Sequence, residues 1–259
     1  MDRLTTPNTP QDKHSSTSIS FSSRLRRLYV RLLSLLYGTK SSARDLKFIC
    51  ITGATGKSTV AHFTHEILRA AGQHVSVLAS DSDISAKTLH SFIADAWKSG
   101  ANYLIITASA ESLARDVFYN LPITVGALTN YIDPSLSTPP VKDFDSSEAI
   151  LFQMQPDHVI LNSDDLYFSS FADFTGKKST LTYGHALSST LHISSSKLYK
   201  RGVEANLSLG SSFYTVASFL TGEPIVSYMA CAAAIATALK ISDSTIIEGI
   251  ANYNPNSKD

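Results

Sequence analysis

Cysteine and tryptophan are scarce in this chain, whose 259 residues include two cysteines and one tryptophan. Cys50 and Cys231 both lie in apolar runs, which indicates buried thiols in a reducing compartment rather than a disulfide framework or a cysteine-based metal site. No apolar run reaches the roughly 18–20 residues of a spanning helix, and no secretory signal is evident. These absences predict a cytoplasmic protein.

Hydrophobic residues make up 43% of the chain, enough for one large domain or for one domain with a tail. The formal net charge of zero conceals an uneven distribution. Residues 1–47 contain nine Lys or Arg and three Asp or Glu, whereas the remainder contains thirteen and nineteen. A basic arm on an acidic body predicts an anionic partner for the arm or docking of the arm on the body. Aromatic and basic residues are not interleaved, so no nucleic-acid partner is predicted.

The basic arm divides into a polar tail and an amphipathic helix. Residues 1–21 are rich in Ser, Thr and Pro and are predicted to be disordered. Residues 22–38 are predicted to form a basic helix with a cap at Ser22 or Ser23 and a stop at Gly38. One face carries Leu25, Leu28, Tyr29, Leu32, Leu35 and Leu36, and the other carries Arg24, Arg27, Arg31 and Ser34. Two interpretations stay open, which are weak contact with an anionic membrane and packing on the chain's own domain.

The most informative segment is a glycine loop between a strand-like run at residues 48–51 and a helix-like run at residues 60–71. The loop residues are Gly53, Ala54, Thr55, Gly56, Lys57, Ser58 and Thr59. Glycines let backbone N–H groups close around phosphate oxygens, and the start of a helix adds positive potential. Lys57 would reach the outer phosphates, and the Ser58 hydroxyl would hold Mg²⁺. The alternative is an ordinary Gly-rich turn from strand to helix.

Strand-like and helix-like runs alternate beyond this loop, which predicts an α/β fold with a mostly parallel sheet and flanking helices. The strand-like runs are residues 48–51, 75–79, 103–106, 124–128 and 158–161, and the helix-like runs are residues 60–71, 86–98, 146–153 and 228–239. Residues 180–219 differ, because short β-type runs there lie between Gly and Ser turns. They predict a small antiparallel β section joined to the parallel core.

Several motifs in one order give this chain a family resemblance. The glycine loop is followed by Thr129-Asn130, Asn162-Ser163-Asp164-Asp165, Thr182-Tyr183-Gly184, and Gly222 ahead of an Ala-rich helix. Residues 47–254 thereby resemble the central ATP-binding domain of the Mur ligase superfamily, with the greatest similarity to ligases of the UDP-N-acetylmuramyl-tripeptide synthetase type. That reaction uses ATP to phosphorylate a carboxylate of a UDP-muramyl peptide, and the amine of an amino acid then attacks the acyl phosphate.

The resemblance implies ATP and Mg²⁺ as cofactors. It implies nucleotide contacts from residues 53–59, Asn162 and Asp165, a catalytic role for Lys57, and metal contacts from Ser58 and Glu148. In this family Mg²⁺ offsets the phosphate charge, which requires hard oxygen ligands.

The chain departs from the family at most of the metal-binding positions. The family's strand-end Glu corresponds to Thr107, a later His to Glu111, and an Asp-His pair to the segment that starts at Asp133. The carbamylated Lys corresponds to Glu148, whose carboxylate would partly mimic a carbamate. Two Asn residues that face the nucleotide correspond to Ile225 and Tyr228. Asp81, Asp83 or Glu111 could bring a carboxylate near the metal, but solvated surface acids explain each more simply.

Residues 1–46 are too few for the family's N-terminal substrate domain, and the chain stops where its C-terminal domain would begin. The expectation is an ATP-binding domain that is catalytically incomplete. One alternative is a working ligase subunit that acts on a muramyl-peptide-type substrate with a partner ligase chain. Another is an interaction protein with a vestigial nucleotide site. His62 and His65 are interpreted as packing or surface histidines rather than metal ligands.

Overall fold

The computed structural model describes residues 21–80, 83–132, 147–175 and 179–255. The elements of these ranges are, in chain order, α1 (Phe21–Leu36), α2 (Thr39–Ser42), β1 (Lys47–Thr52), α3 (Lys57–Ala70), β2 (Val75–Leu78), α4 (Ala86–Lys98), β3 (Tyr103–Thr107), α5 (Ala110–Ala114), β4 (Ile123–Leu128), α6 (Ile150–Gln153), β5 (His158–Asn162), α7 (Phe168–Ala172), β6 (Ser179–Gly184), β7 (Leu191–Tyr199), β8 (Gly202–Leu209), β9 (Ser212–Ser218), α8 (Pro224–Ala238) and α9 (Asp243–Asn252).

The strands of the described residues form one sheet of nine in the order β2-β3-β1-β4-β5-β6-β7-β8-β9. Every pairing from β2 to β7 is parallel. The last two pairings, β7 with β8 and β8 with β9, are antiparallel. The predicted α/β class, a mostly parallel sheet with a small antiparallel section, is confirmed.

Helices cover both faces of the parallel part, which explains why its strands are continuous apolar runs rather than alternating ones. In β1, Ile49 and Ile51 face a core that α3, α8 and α9 complete. Phe48 and Cys50 face the opposite core, to which α1, α4, α5, α6 and α7 contribute. The two cores hold the strands rigidly, so the loops at the strand ends start from fixed positions.

Some predicted elements differ from the structure. Strand β6 was expected in the antiparallel section, but it pairs in parallel with β5, because α7 provides a crossover between the two. The helix predicted at residues 146–153 begins only at Ile150, since residues 147–149 form a turn, and Ser146 lies outside the described residues. Helix α8 starts earlier than predicted, with Pro224 in its first turn, a position that suits proline.

Helix α1 packs on the body of the protein, and it does so through the face opposite to its leucine-rich face. Val30 and Leu33 are buried, and Arg26 and Arg27 form ion pairs with Asp116. The predicted leucine-rich face is exposed to solvent. Of the tail predicted at residues 1–21, Phe21 is the first residue of α1, and residues 1–20 lie outside the described residues. Within the described residues no helix has the length and apolar content needed to span a bilayer.

Candidate nucleotide-binding site

The predicted loop lies at the carboxyl edge of the sheet, where β1 ends at Thr52 between β3 and β4. Chain connections leave β1 toward β2 and β3 on one side and return to β4 on the other. In open α/β sheets this reversal of strand order creates a crevice outside the carboxyl ends, where ligands bind. Strands β3, β4 and β5 end at the same edge, and the segments that follow them begin there. The topology therefore brings the predicted motifs together.

Both loop glycines are required by the close approach of other groups. Gly53 has φ 137°, and a Cβ there would overlap the Thr129 hydroxyl and the backbone of Asn130. Gly56 has φ 79°, and a Cβ there would overlap the ring of Tyr228. Since other residues rarely adopt these φ values, the loop conformation depends on glycine at both positions.

Thr129 and Asn130, which follow β4, hold the loop in shape. The backbone N–H of Ala54 donates to the Asn130 carbonyl at 2.8 Å, and that of Thr55 donates to Asn130 Oδ1 at 3.0 Å. The Thr129 hydroxyl donates to the Thr55 carbonyl at 2.7 Å. The loop is therefore ordered by the protein itself, and a ligand would not have to pay the entropy of ordering it.

Helix α3 begins directly after the loop, with Lys57 as its first residue and no side-chain cap from Gly56. The N–H groups in the first turn of a helix have no intrahelical acceptor, and the helix dipole makes this end attractive to anions. Lys57 Nζ donates to the Gly53 carbonyl at 2.8 Å, so the ammonium group lies over the loop. Ser58 and Thr59 follow in the same turn. This arrangement is suited to a phosphate group.

Tyr228, at a position where the family resemblance implies an amide side chain, instead braces the loop. Its hydroxyl lies 3.0 Å from Thr55 Oγ1, its ring packs on Gly56, and it is 8% exposed. The sequence showed that an amide was missing here but gave no signal for this contact, because the two segments are far apart in the chain. Tyr228 therefore belongs to the site as a structural support of the loop.

Asn162 and Asp165 occupy the segment after β5 and also act as braces. Asn162 Nδ2 donates to the Thr129 carbonyl at 3.0 Å, and its Oδ1 accepts from the N–H of Asp164 at 3.0 Å. Asp165 accepts from the N–H groups of Tyr131 and Tyr167. These bonds tie the ends of β4 and β5 together, and direct contact of either side chain with nucleotide stays a prediction.

Thr107 is the last residue of β3, beside the loop, and its hydroxyl takes part in two hydrogen bonds with the Ser80 backbone. The hydroxyl is buried, accepts from the Ser80 N–H at 2.9 Å and donates to the Ser80 carbonyl at 3.1 Å. It ties the segment after β2 to β3 and brings no charge to the site. The family resemblance implies a carboxylate at this position, and Thr107 does not supply one.

Asp83 and Glu111 form a surface cluster at the start of α5. The Ser109 hydroxyl donates to Asp83 and holds the pKa of that carboxyl below its usual value. A hydrogen bond with Asp83 raises the pKa of Glu111, which also pairs with Arg115. Both acids are exposed, and they are partnered by neighbouring side chains. Their geometry fits the interpretation as solvated surface acids.

The predicted metal contacts come from different elements. Ser58 is in the first turn of α3, and Glu148 is 6% exposed in the turn before α6. Across residues 21–80, 83–132, 147–175 and 179–255, no group of three or more His, Cys, Asp or Glu side chains converges to hold a metal ion. Asp81 and Asp133 lie outside those ranges. The described residues therefore fit a phosphate group but not an independent metal centre.

The remaining candidates have packing roles. His62 stacks on Tyr253 with ring centroids 5.6 Å apart, and burial is the main cause of its lowered pKa. His65 Nδ1 lies 3.1 Å from Glu66 Oε1. Cys50 and Cys231 are free and buried, as predicted, and burial raises the pKa of Cys231 to about 12.

The family profile described as "Mur ligase middle domain" matches residues 51–236. The chain belongs to this Mur ligase family. Its relatives include the UDP-N-acetylmuramoyl-L-alanyl-D-glutamate–2,6-diaminopimelate ligase of Bacillus licheniformis, which is 25% identical over 247 residues that cover 87% of this chain and 50% of the ligase. The chain thus spans about half the length of this curated Mur ligase.

Solved structures show the same fold. A structure of a UDP-N-acetylmuramoyl-L-alanyl-D-glutamate–2,6-diaminopimelate ligase superposes with a TM-score of 0.78 and 18% identity, covering 92% of this chain and 51% of the ligase. The folylpolyglutamate synthase of Mycobacterium tuberculosis, described as complexed with ADP and AMPPCP, gives a TM-score of 0.69 and 12% identity, covering 88% of this chain and 63% of the synthase. The Mur ligase middle domain fold is therefore shared between this chain and longer ligases.

Proposed function

We propose that this chain binds ATP at residues 53–59 and is, by its own residues, an incomplete ligase. The observation that carries the proposal is the geometry of the loop. Gly53 and Gly56 adopt left-handed conformations, and Lys57 lies over the loop at the start of α3. This arrangement places an ammonium group and helical N–H groups around one point at the carboxyl edge of the sheet.

The identity of the proposed ligand, ATP, comes from the family. The M. tuberculosis folylpolyglutamate synthase, which has the same fold, is described as complexed with ADP and AMPPCP. A triphosphate would take the place of the Gly53 carbonyl as the partner of Lys57 Nζ. The N–H groups of the first turn of α3 would bind phosphate oxygens, and Tyr228 would keep the loop from opening. Mg²⁺, when bound, would offset phosphate charge, and Ser58 and Glu148 are the residues proposed to hold it.

Catalytic incompleteness is proposed from Thr107. Its hydroxyl is occupied by Ser80 and is uncharged, so it does not replace a metal-binding carboxylate. Tyr228 likewise braces the loop where an amide would face the nucleotide. With fewer charged ligands around the phosphates, the transition state for phosphoryl transfer would be less stabilised.

A partner ligase chain and a muramyl-peptide-type substrate are the further components proposed for any ligase activity in peptidoglycan synthesis. The Bacillus licheniformis relative is, by its name, a ligase of a UDP-muramoyl peptide, and the chain spans about half of its length. A cytoplasmic location is proposed with them, because both cysteines are free thiols. Release of ADP only when a partner ligase and substrate are mixed with the chain would support this second function.

Thermal unfolding with and without Mg-ATP tests the nucleotide site. Binding to the folded state stabilises it by about 2.7 kcal/mol at a ligand concentration one hundred times the dissociation constant. The wild-type chain should show a higher midpoint with Mg-ATP, whereas Lys57→Ala should show little or no increase.

Lys87→Ala is the matched control, since Lys87 is an exposed lysine in the first turn of another helix. It should retain the full response to Mg-ATP, and adenosine without phosphates should give a smaller response than ATP. A wild-type midpoint that does not move in millimolar Mg-ATP, or an equal shift in Lys57→Ala, would contradict the proposal and leave the vestigial site as the better interpretation.

A further inference from the structure

The outer face of α1 is an apolar stripe that the described part of the chain leaves uncovered. Its residues, all more than half exposed, are Phe21, Leu25, Leu28, Tyr29, Leu32, Leu35 and Leu36. They recur at helical spacing over a 16-residue helix, so they lie along one side of it. A continuous apolar surface of this kind on a folded protein marks an interaction site.

The stripe points away from the body because the opposite face of α1 is anchored. Val30 and Leu33 are buried in the core beside α4. Arg27 Nε donates to Asp116 Oδ1 at 2.9 Å, and the Ser23 hydroxyl donates to Asp116 Oδ2 at 2.8 Å. Asp116 therefore fixes the rotation of the helix about its axis. The stripe is a raised ridge rather than the floor of a groove.

The charged residues of the segment that carries the stripe are all of one sign. Residues 21–44 contain six Lys or Arg and no Asp or Glu. Arg24 and Arg31 are exposed and follow one flank of the stripe, since each is three or four residues from two of its members. Arg31 bonds to the Tyr119 hydroxyl, and among the described residues Arg24 has no ion pair. The flank therefore offers cations to an outside partner.

A basic cleft adjoins the C-terminal end of the stripe. Its volume is about 340 Å³, and it is lined by Ser34, Leu35, Gly38, Lys40, Ser41 and Arg44. Lys40 and Arg44 are exposed, and within the described part of the chain neither forms an ion pair. One apolar member of the stripe, Leu35, thus shares a cleft with two cations and two hydroxyl groups. This is the combination that meets both an acyl chain and a phosphate headgroup.

We propose that α1 is an interfacial helix that docks the folded domain on an anionic lipid surface. The stripe enters the boundary between headgroups and acyl chains, and Arg24, Arg31, Lys40 and Arg44 contact lipid phosphates. A second copy of the chain fits this surface less well, since pairing two stripes would bring like charges together with no acid on either helix. The single helix makes the binding weak and reversible.

Flotation of the full chain with lipid vesicles tests the proposal. Binding should be detectable with phosphatidylglycerol mixed into phosphatidylcholine, about tenfold or more weaker with phosphatidylcholine alone, and reduced by salt. The double variant Leu28→Asp/Leu32→Asp should lose binding. The matched control is Leu187→Asp/Phe213→Asp, which alters two exposed apolar residues outside α1 and should bind like the wild type.

A triple variant tests how much the basic side chains contribute to vesicle binding. Arg24→Gln/Lys40→Gln/Arg44→Gln should weaken binding to anionic vesicles about tenfold or more. Lys87→Gln/Lys200→Gln/Arg201→Gln removes the same charge from exposed sites on other elements and should have a smaller effect. Equal losses in the two variants would show that only the overall charge matters, and would overturn the assignment to α1.

Insertion of the stripe is tested by fluorescence in case the aspartate variants fail to fold. Leu32→Trp in a Trp97→Phe background places the only tryptophan on the stripe. Brominated acyl chains should quench it, whereas the native Trp97 on α4 should be quenched less. Absence of quenching would overturn the proposal. So would lipid-free sedimentation that shows a dimer which Leu28→Asp/Leu32→Asp dissociates, since the stripe would then be a contact between copies.

Discussion

At the scale of single residues, the contact between Tyr228 and the glycine loop shows how one side chain supports the loop. The tyrosine ring fills the space that Gly56 leaves open, and the hydroxyl reaches Thr55 across the site. A partly buried hydrogen bond of this kind contributes about 1 kcal/mol. Tyr228 therefore stabilises the loop through both its ring and its hydroxyl.

Removal of the Tyr228 hydroxyl tests this role. Tyr228→Phe keeps the ring on Gly56 but loses the bond to Thr55, so the free energy of unfolding should fall by about 1 kcal/mol in urea titration. Tyr199→Phe is the control, because Tyr199 is 52% exposed and should tolerate the change. Equal unfolding midpoints for Tyr228→Phe and the wild type would show that the hydroxyl does not brace the loop.

At the scale of elements, the attachment of α2 to α4 depends on a buried histidine. His90 is 1% exposed, and its Nδ1 lies 2.8 Å from Thr39 Oγ1. Burial lowers the pKa of His90, since the interior disfavours the charged imidazolium. The unfolded chain, whose histidines titrate near pH 6.5, therefore takes up the proton first as the pH falls.

A pH series of unfolding measurements tests this attachment. The His90 contribution to stability is fully present above about pH 6.5 and is lost as the pH falls from there toward the lower folded-state pKa. His90→Gln should show a shallower loss of stability between about pH 7 and pH 5 than the wild type. His74→Gln, at an exposed histidine, should retain the wild-type slope. An unchanged slope in His90→Gln would contradict the prediction.

At the scale of the whole molecule, the sheet and its two helical layers form the common support of the site and of α1. Cys50 lies in the core beside α4, whereas Cys231 lies in the core of α3 and α8, on the other side of the sheet. Both thiols are fully buried, and neither is ionised near neutral pH because burial raises both pKa values. Reaction of each thiol with a labelling reagent therefore reports the opening of the core in which that cysteine lies.

Thiol labelling across a denaturant series measures whether the two cores open together. The native chain should not react with a thiol reagent, and peptide mass spectrometry should give the same labelling midpoint for Cys50 and Cys231. A shared sheet makes this expected, because loss of β1 exposes both faces at once. Labelling of one cysteine at a distinctly lower denaturant concentration would show that its core opens independently.

Much of this architecture follows from local sequence. Apolar runs such as residues 103–106 and the helical pattern at residues 86–98 predict their elements closely, because periodicity and length are local properties. The glycine loop is predicted in the same way, since its function needs neighbouring residues in one order. Strand β6 was misassigned because parallel or antiparallel pairing depends on how the chain crosses over, which a short β-type run does not encode.

By itself the sequence determined the α/β class, the glycine loop between a strand and a helix, the buried thiols and the amphipathic nature of residues 22–38. The tertiary structure alone decided which face of α1 is covered, that Thr107 is bound to Ser80, and that Tyr228 rests on Gly56. Each of these depends on contacts between segments far apart in the chain. Amphipathic spacing shows that two faces differ, but only Asp116 and the cores determine which one meets the protein.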